Sequence, residues 1–254
     1  LLKNSNSYSK NSPGFKEDGD YDLFSTFKID ASLPLQKKLI DHTNYLKPVI
    51  SFRYSPNSNS DLTSKDIFLN YDSAFNLNRI GTSYEVEGGE SLSFGLEFKR
   101  TNNINQNVLD LKVANVVKAS ENFNLPSKSK LNKTRSDIFG DLSYKINNNI
   151  NLGYFFSYDK DLEYSNLNGL NLSAEINNFF TDFNYYAEGN DLLDKETIQN
   201  KTKYKFNKEN IFSFEIAKDL KNDFTEFYDL NYEYITDCLS LSLKYNTSFY
   251  SDGN

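Results

Sequence analysis

Three observations predict an antiparallel, up-and-down transmembrane β-barrel, present here as a fragment. Four short polar turns, at Asn147-Asn148, Asn177-Asn178, Asn207-Lys208 and Thr236-Asp237, recur at spacings of 30, 30 and 29 residues. The flanking runs, about nine residues each, alternate apolar with polar side chains, which is the length and rhythm of a strand crossing a bilayer at a tilt. At their other ends lie longer polar connections, Lys160 to Asn168, Ala187 to Glu196 and Lys218 to Asp223. Short turns alternating with long loops describe a meander, and in bacterial outer-membrane barrels the short turns face the periplasm.

The first half of the chain fits five further strands, near 21–33, 46–54, 66–75, 83–99 and 106–117. Its clearest outward face is Leu92, Phe94, Leu96 and Phe98, opposed by Ser91, Ser93, Gly95, Glu97 and Lys99. The same parity carried backward puts Glu85 and Glu87 on the lumen side, with Gly88-Gly89 as a kink or bulge between. Arg53 counts to the lumen as well. Pro34 and Pro48 donate no ladder hydrogen bond, so each marks a strand end, a bulge or an irregular pairing. Residues 103–107 and 120–133 read as loops, the second long enough to lie outside or fold inward.

In the second half the alternation assigns every strand a side. Ile138, Leu142, Tyr144 and Ile146 face out, and the Asn147-Asn148 turn suits the positive backbone angles of a tight hairpin. Ile150, Leu152, Tyr154, Phe156 and Tyr158 follow, with Phe155 the one exception on the polar side. Leu170, Leu172, Ala174 and Ile176 continue the face, then Tyr204 and Phe206, then Phe212, Phe214 and Ile216. Tyr228, Leu230, Tyr232 and Tyr234 lead into Leu239, Leu241, Leu243 and Tyr245. Counting from Leu239 turns Cys238 and Lys244 toward the lumen, with the thiol at the periplasmic mouth. Aromatics such as Tyr154, Tyr232 and Tyr245 suit an interfacial girdle.

Composition agrees with this reading. The hydrophobic fraction is 38% and mean hydropathy is -0.65, values that exclude a transmembrane helix but not a barrel, where only alternate strand residues meet lipid. A net charge of -7 without a basic stripe argues against nucleic acid. With one cysteine no internal disulfide forms, and a single histidine, His42, offers no catalytic pair or metal cage. No phosphate-binding loop or cofactor motif is present, so neither an enzyme nor a cofactor is expected. Asp18, Asp20 and Asp22 have calcium-loop spacing, but Leu23 and Ile29 stand where glycine and a bidentate glutamate are needed. The chain begins Leu1-Leu2-Lys3 and holds no methionine, so it reads as residues 1–254 of a partial barrel domain.

Several segments taken in order resemble the C-terminal barrel of the lipopolysaccharide-assembly protein LptD family. They are Ala31-Ser32-Leu33-Pro34 with Leu46-Lys47-Pro48 and Tyr54-Ser55-Pro56, then Asn76-Leu77-Asn78-Arg79-Ile80-Gly81, where the family pattern places an aromatic at Ile80. Tyr84-Glu85-Val86-Glu87-Gly88-Gly89, Ser136-Asp137-Ile138-Phe139-Gly140 and Tyr234-Ile235-Thr236-Asp237-Cys238-Leu239 complete the set. The resemblance implies an outer-membrane translocon that receives lipopolysaccharide from a periplasmic bridge protein, LptA. It also implies a plug lipoprotein, LptE, in the lumen, a periplasmic domain and a closing strand outside this chain, and a gate between first and last strands. It further implies that Cys238 forms a disulfide to that periplasmic domain, and that Arg53, Glu85, Glu87, Glu97, Lys99 and Lys244 line the lumen as solvated residues or as contacts for plug or sugar. A porin or solute-uptake channel shares the periodicity without the ordered motifs, and is the alternative.

Overall fold

The computed structural model describes residues 2–7, 20–82, 85–104, 106–189 and 195–249. Its main element is one antiparallel sheet in which almost every strand pairs with its neighbour in sequence. The strands are β3 (Phe27–Ser32), β4 (Leu35–Lys38), β5 (His42–Ser55), β6 (Gly89–Asn102), β7 (Asn107–Lys118), β8 (Ile138–Asn147), β9 (Ile150–Tyr158), β10 (Ser165–Ile176), β11 (Phe179–Glu188), β12 (Lys195–Lys205), β13 (Asn210–Asp219), β14 (Phe224–Ile235) and β15 (Ser240–Ser248). Two further strands, β1 (Leu2–Ser7) and β2 (Asp20–Ser25), form a separate ribbon. Among the described residues β3 and β15 are not paired with each other, so the wall is open.

Register shows why this sheet tolerates an apolar exterior. Leu46 stands opposite Phe98, Phe98 opposite Leu111, and the row continues through Leu142, Tyr154, Leu170, Tyr185 and Ile198. A second row runs Ile176, Phe179, Tyr204, Phe212, Tyr232 and Leu243. A one-residue slip at any strand would replace these with polar side chains, so the pattern locks the register. Many of these outward residues are exposed, including Phe94, Tyr204, Phe212 and Leu241. An unbroken exposed apolar band is disfavoured in water and suited to hydrocarbon.

The opposite face carries charges of alternating sign. Lys47, Glu97, Lys112 and Asp141 oppose one another across four neighbouring strands, with Lys47 Nζ 3.2 Å from Glu97 Oε1. The ladder stops at Phe155, the apolar residue on the inward face of β9. Phe155 stands opposite Gly169, and a Cβ at Gly169 would lie 1.9 Å from the Phe155 ring. The glycine is therefore what allows an aromatic to lie flat on the polar side.

Several expectations need correction. Residues 66–75 are not a strand. Asn70 and Ser73 form a reciprocal capping box that starts a single helical turn, α1 (Tyr71–Ala74), which buries Tyr71 and Ala74 against the wall. The expected strand 83–99 begins only at Gly89, and residues 83–84 lie outside the described set. Pro34 splits the expected strand 21–33 from the short β4, and Thr26 separates β2 from β3. The hairpin angle expected at Asn147-Asn148 is absent, since that turn is held by Asn147 Oδ1 accepting from Asn149 N at 2.8 Å; Asn177 has the positive φ, 53°. The connection between β13 and β14 is the same length as the β12–β13 and β14–β15 turns at the opposite end, so the short-long contrast fades toward β15. Asp18 of the Asp18-Asp20-Asp22 motif, and Tyr84, lie outside the described residues.

Candidate functional site

Two connections fold back over the polar face. Residues 56–88 follow β5 and residues 119–137 follow β7, and together they bury Leu62, Leu69, Tyr71, Ala74, Ile80, Leu125 and Leu131 against Ala114, Val116 and Phe139. This inward cap is an apolar core on the side of the wall that the strand pattern reserves for polar groups. It forms there because the wall beneath is built small: Ser51, Ser91, Ser93 and Ala114 leave room for the cap to approach.

At the seam between cap and wall sits a buried ionic cluster. Lys28, Arg53, Ser91 and Lys118 stand opposite one another across β3, β5, β6 and β7. Three basic residues in one row repel each other; Lys28 pairs with Asp30 of its own strand at 2.7 Å, and the cap supplies the counter-charge for Arg53 and Lys118. Glu87 Oε2 lies 2.8 Å from Arg79 Nε and 3.7 Å from Arg53 Nη1, and its Oε1 lies 3.2 Å from Lys118 Nζ. Arg79 also reaches both serines, donating to Ser91 Oγ and, at 3.3 Å, to Ser93 Oγ. Arg53 adds hydrogen bonds to the carbonyls of Leu77, at 3.0 Å, and Glu87, at 2.6 Å. Glu87 is fully buried and Arg53, Arg79 and Lys118 nearly so. Burial, the largest influence on the Glu87 carboxyl, works to raise its pKa, yet Arg79, Lys118 and Arg53 together hold it below the ordinary glutamate range.

Beside it, Glu85 accepts from Ser60 N at 2.6 Å, Ser60 Oγ at 2.6 Å and Asn59 Nδ2 at 3.2 Å. Asn59 ties both cap segments together. It donates to Val86 O at 2.9 Å, accepts from Gly88 N at 2.8 Å and Asn122 Nδ2 at 3.0 Å, and its carbonyl accepts from Asn124 Nδ2 at 2.8 Å. A further tie joins Lys128 of the cap to Glu188 at the end of β11 and to Asp66 at 2.7 Å.

The structure thus gathers Arg53, Glu85 and Glu87 but leaves Glu97, Lys99 and Lys244 apart. Glu97 bridges Lys47 and the Tyr71 hydroxyl, the latter at 2.9 Å. Lys99 pairs across the sheet with Tyr45 and Asp110. Lys244 lines a shallow depression of about 190 Å³ with Lys201, Glu215 and Asp229. Cys238 is exposed in the turn before β15, which is closed by Thr236 N donating to Leu239 O at 2.7 Å. Strand parity does not extend into that turn. Lys118 and Asn59 were not singled out by sequence pattern, and Arg79 appeared only within the Asn76 to Gly81 motif; Lys118 is marked by its place in register with Arg53, visible only once strands are paired.

Comparison with known proteins bears on this wall directly. A protein-family model described as LptD, LPS transport system D, matches residues 2–216. No curated protein matches the chain. Among solved structures, a triple mutant of the Rhodopseudomonas blastica porin aligns at 11% identity with TM-score 0.36, covering 98% of this chain and 92% of the porin. Another mutant of that porin aligns at 10% identity with TM-score 0.37, covering 94% and 89%.

Proposed function

The chain belongs to the LptD family of lipopolysaccharide transport, an outer-membrane β-barrel family, and from that premise we propose that it forms part of the wall of a translocon delivering lipopolysaccharide to the outer leaflet. The observation that carries this reading is the family match over residues 2–216. Two solvents along one sheet support it. An apolar band in continuous register faces out, and a ladder of Lys47, Glu97, Lys112 and Asp141 faces the other way. A charged saccharide is accommodated by the second face. Its acyl chains stay in hydrocarbon, since exposing them to water would cost about 0.8 kcal/mol per methylene. Residues 1–254 are read as part of the barrel domain, and Glu97, Lys99 and Lys244 as its wet lining.

In this proposal the lumen holds the plug lipoprotein LptE, and LptA brings the substrate from below. Depleting the gene is expected to strip lipopolysaccharide from the cell surface while small-solute uptake is unchanged. Loss of uptake with normal surface lipopolysaccharide would instead assign a channel.

Cys238 is proposed to pair with a cysteine of the periplasmic domain. It is exposed in a turn of the short-turn end of the wall, and the periplasm is oxidising. Non-reducing electrophoresis of the full-length protein is expected to show a mobility shift that Cys238→Ser abolishes. Identical mobility of the two proteins would refute the pairing.

A further inference from the structure

Between cap and wall, at the level of Lys112 and Asp141, lies an open pocket of about 460 Å³, within the range of small-molecule sites. Its apolar surface comes from Phe68 and Leu69 of the cap and from Phe155 and Leu167 of the wall. The cavity opens here because Phe155 lies down over Gly169 and its ring stays low on the sheet.

The polar groups at its edge are unbalanced. Asp72 and Asp141 both border it, and Lys112 is the cation between them. Lys112 Nζ is 3.8 Å from Asp72 Oδ1 and 5.6 Å from the centre of the Tyr71 ring, so this corner already holds one ammonium between a carboxylate and an aromatic face. Asp141 is less well served. In the charge ladder it should find a base on each side, but the next strand presents Phe155. Among the described residues the Asp141 carboxylate has no hydrogen bond and no ion pair within 4.0 Å. One carboxylate, Asp72, thus holds the ammonium and the other, Asp141, has no cation of its own beside aromatic walls, an arrangement complementary to a second cation carried on an apolar body.

We propose that this cavity binds an organic primary ammonium with a compact apolar body, the ammonium meeting Asp141 and Asp72 and the body lying between Phe68 and Phe155. Neither the family match nor the transport reading assigns such a site, and its test does not depend on transport. The probes are 2-phenylethylammonium, the neutral 2-phenylethanol and the anionic phenylacetate, three molecules of similar shape. Each is titrated by saturation-transfer NMR against the full-length protein in a neutral maltoside detergent, with empty micelles subtracted. The ammonium is expected to bind at least ~10-fold tighter than the alcohol, about 1.4 kcal/mol, with phenylacetate weaker still. Asp72→Asn with Asp141→Asn is expected to reduce ammonium binding to the level of the alcohol. Asp72→Asn alone changes an exposed side chain, leaves the fold intact, and is expected to weaken binding at least ~3-fold by removing one of two charge-assisted contacts. Equal binding of ammonium and alcohol, or ammonium binding unaltered in the variants, would overturn the proposal.

Discussion

Glu87→Ala is expected to release the inward cap from the barrel wall while leaving the wall itself folded. Among the described residues the carboxylate is the one anion paired with Arg53, Arg79 and Lys118, all nearly inaccessible to water. Removing one partner of a buried ionic cluster leaves the other charges uncompensated, at about 3–5 kcal/mol. Here three cations lose their counter-charge at once, which places the effect at the upper end. Arg53 and Lys118 put part of this loss on β5 and β7, but the ladders and apolar rows of β8 to β15 run without an ion pair to Glu87. The measurable outcome is protease cleavage within residues 56–88 of a barrel that still migrates as a folded species in unheated gels. Glu87→Gln should fall between, keeping hydrogen-bond acceptance but not charge. Acid should mimic the substitution. A carboxyl whose folded pKa is lowered contributes stability that is fully present above its ordinary value of 4.5 and is lost as pH falls below it. Cap cleavage in the wild type should therefore rise as pH drops below that range, and Glu87→Gln should abolish the dependence. A cap equally protected in the variant and at every pH would refute the role given to Glu87.

How much of this was visible in the sequence depends on periodicity. Most of the wall from β8 to β15 was readable, because side chains alternate with period two and one face meets an apolar solvent; β11 received no face from the pattern, and Phe206, counted on a strand, lies in the turn after β12. Phe155 announced itself as an exception, though its reason, Gly169 on the neighbouring strand, needed the register. The cap was not readable. Ile67, Leu69 and Tyr71 alternate like a strand, yet they are buried by folding across the sheet, not by pairing with it. No local period records that arrangement. Glu85 and Glu87 were placed on the polar side by counting through Gly88-Gly89, but their burial arises from the cap's own path and not from β6. The most consequential pairing, Arg53 with Lys118 across Ser91, joins residues far apart in the chain and follows only from strand order.

Gly88→Ala is expected to unseat the same cap by a steric route, and its contrast with Gly89→Ala identifies the mechanism. A Cβ at Gly88 would lie 1.9 Å from the backbone carbonyl oxygen of Asn57. That carbonyl belongs to the chain leaving β5, where Asn57 donates to Ser25 O at 3.1 Å and to Ser55 Oγ at 2.7 Å, so it has little freedom to retreat. Overpacking of this kind costs about 3 kcal/mol when the neighbour is backbone. It also pulls Gly88 N from Asn59 Oδ1, its 2.8 Å partner, and through Asn59 loosens both cap segments. Gly89 differs. A Cβ there meets nothing within 4 Å, but its φ is +94°, so alanine is strained by conformation alone, at about 1–2 kcal/mol. Protease protection of residues 56–88 should thus fall far more in Gly88→Ala than in Gly89→Ala. Adding Glu87→Ala to Gly88→Ala should produce little further loss, because both changes detach the same contact surface and neighbouring effects on one element are not additive. Full additivity would mean that the seam and the glycine approach hold separate parts of the molecule, and would contradict a single cap closing as one unit.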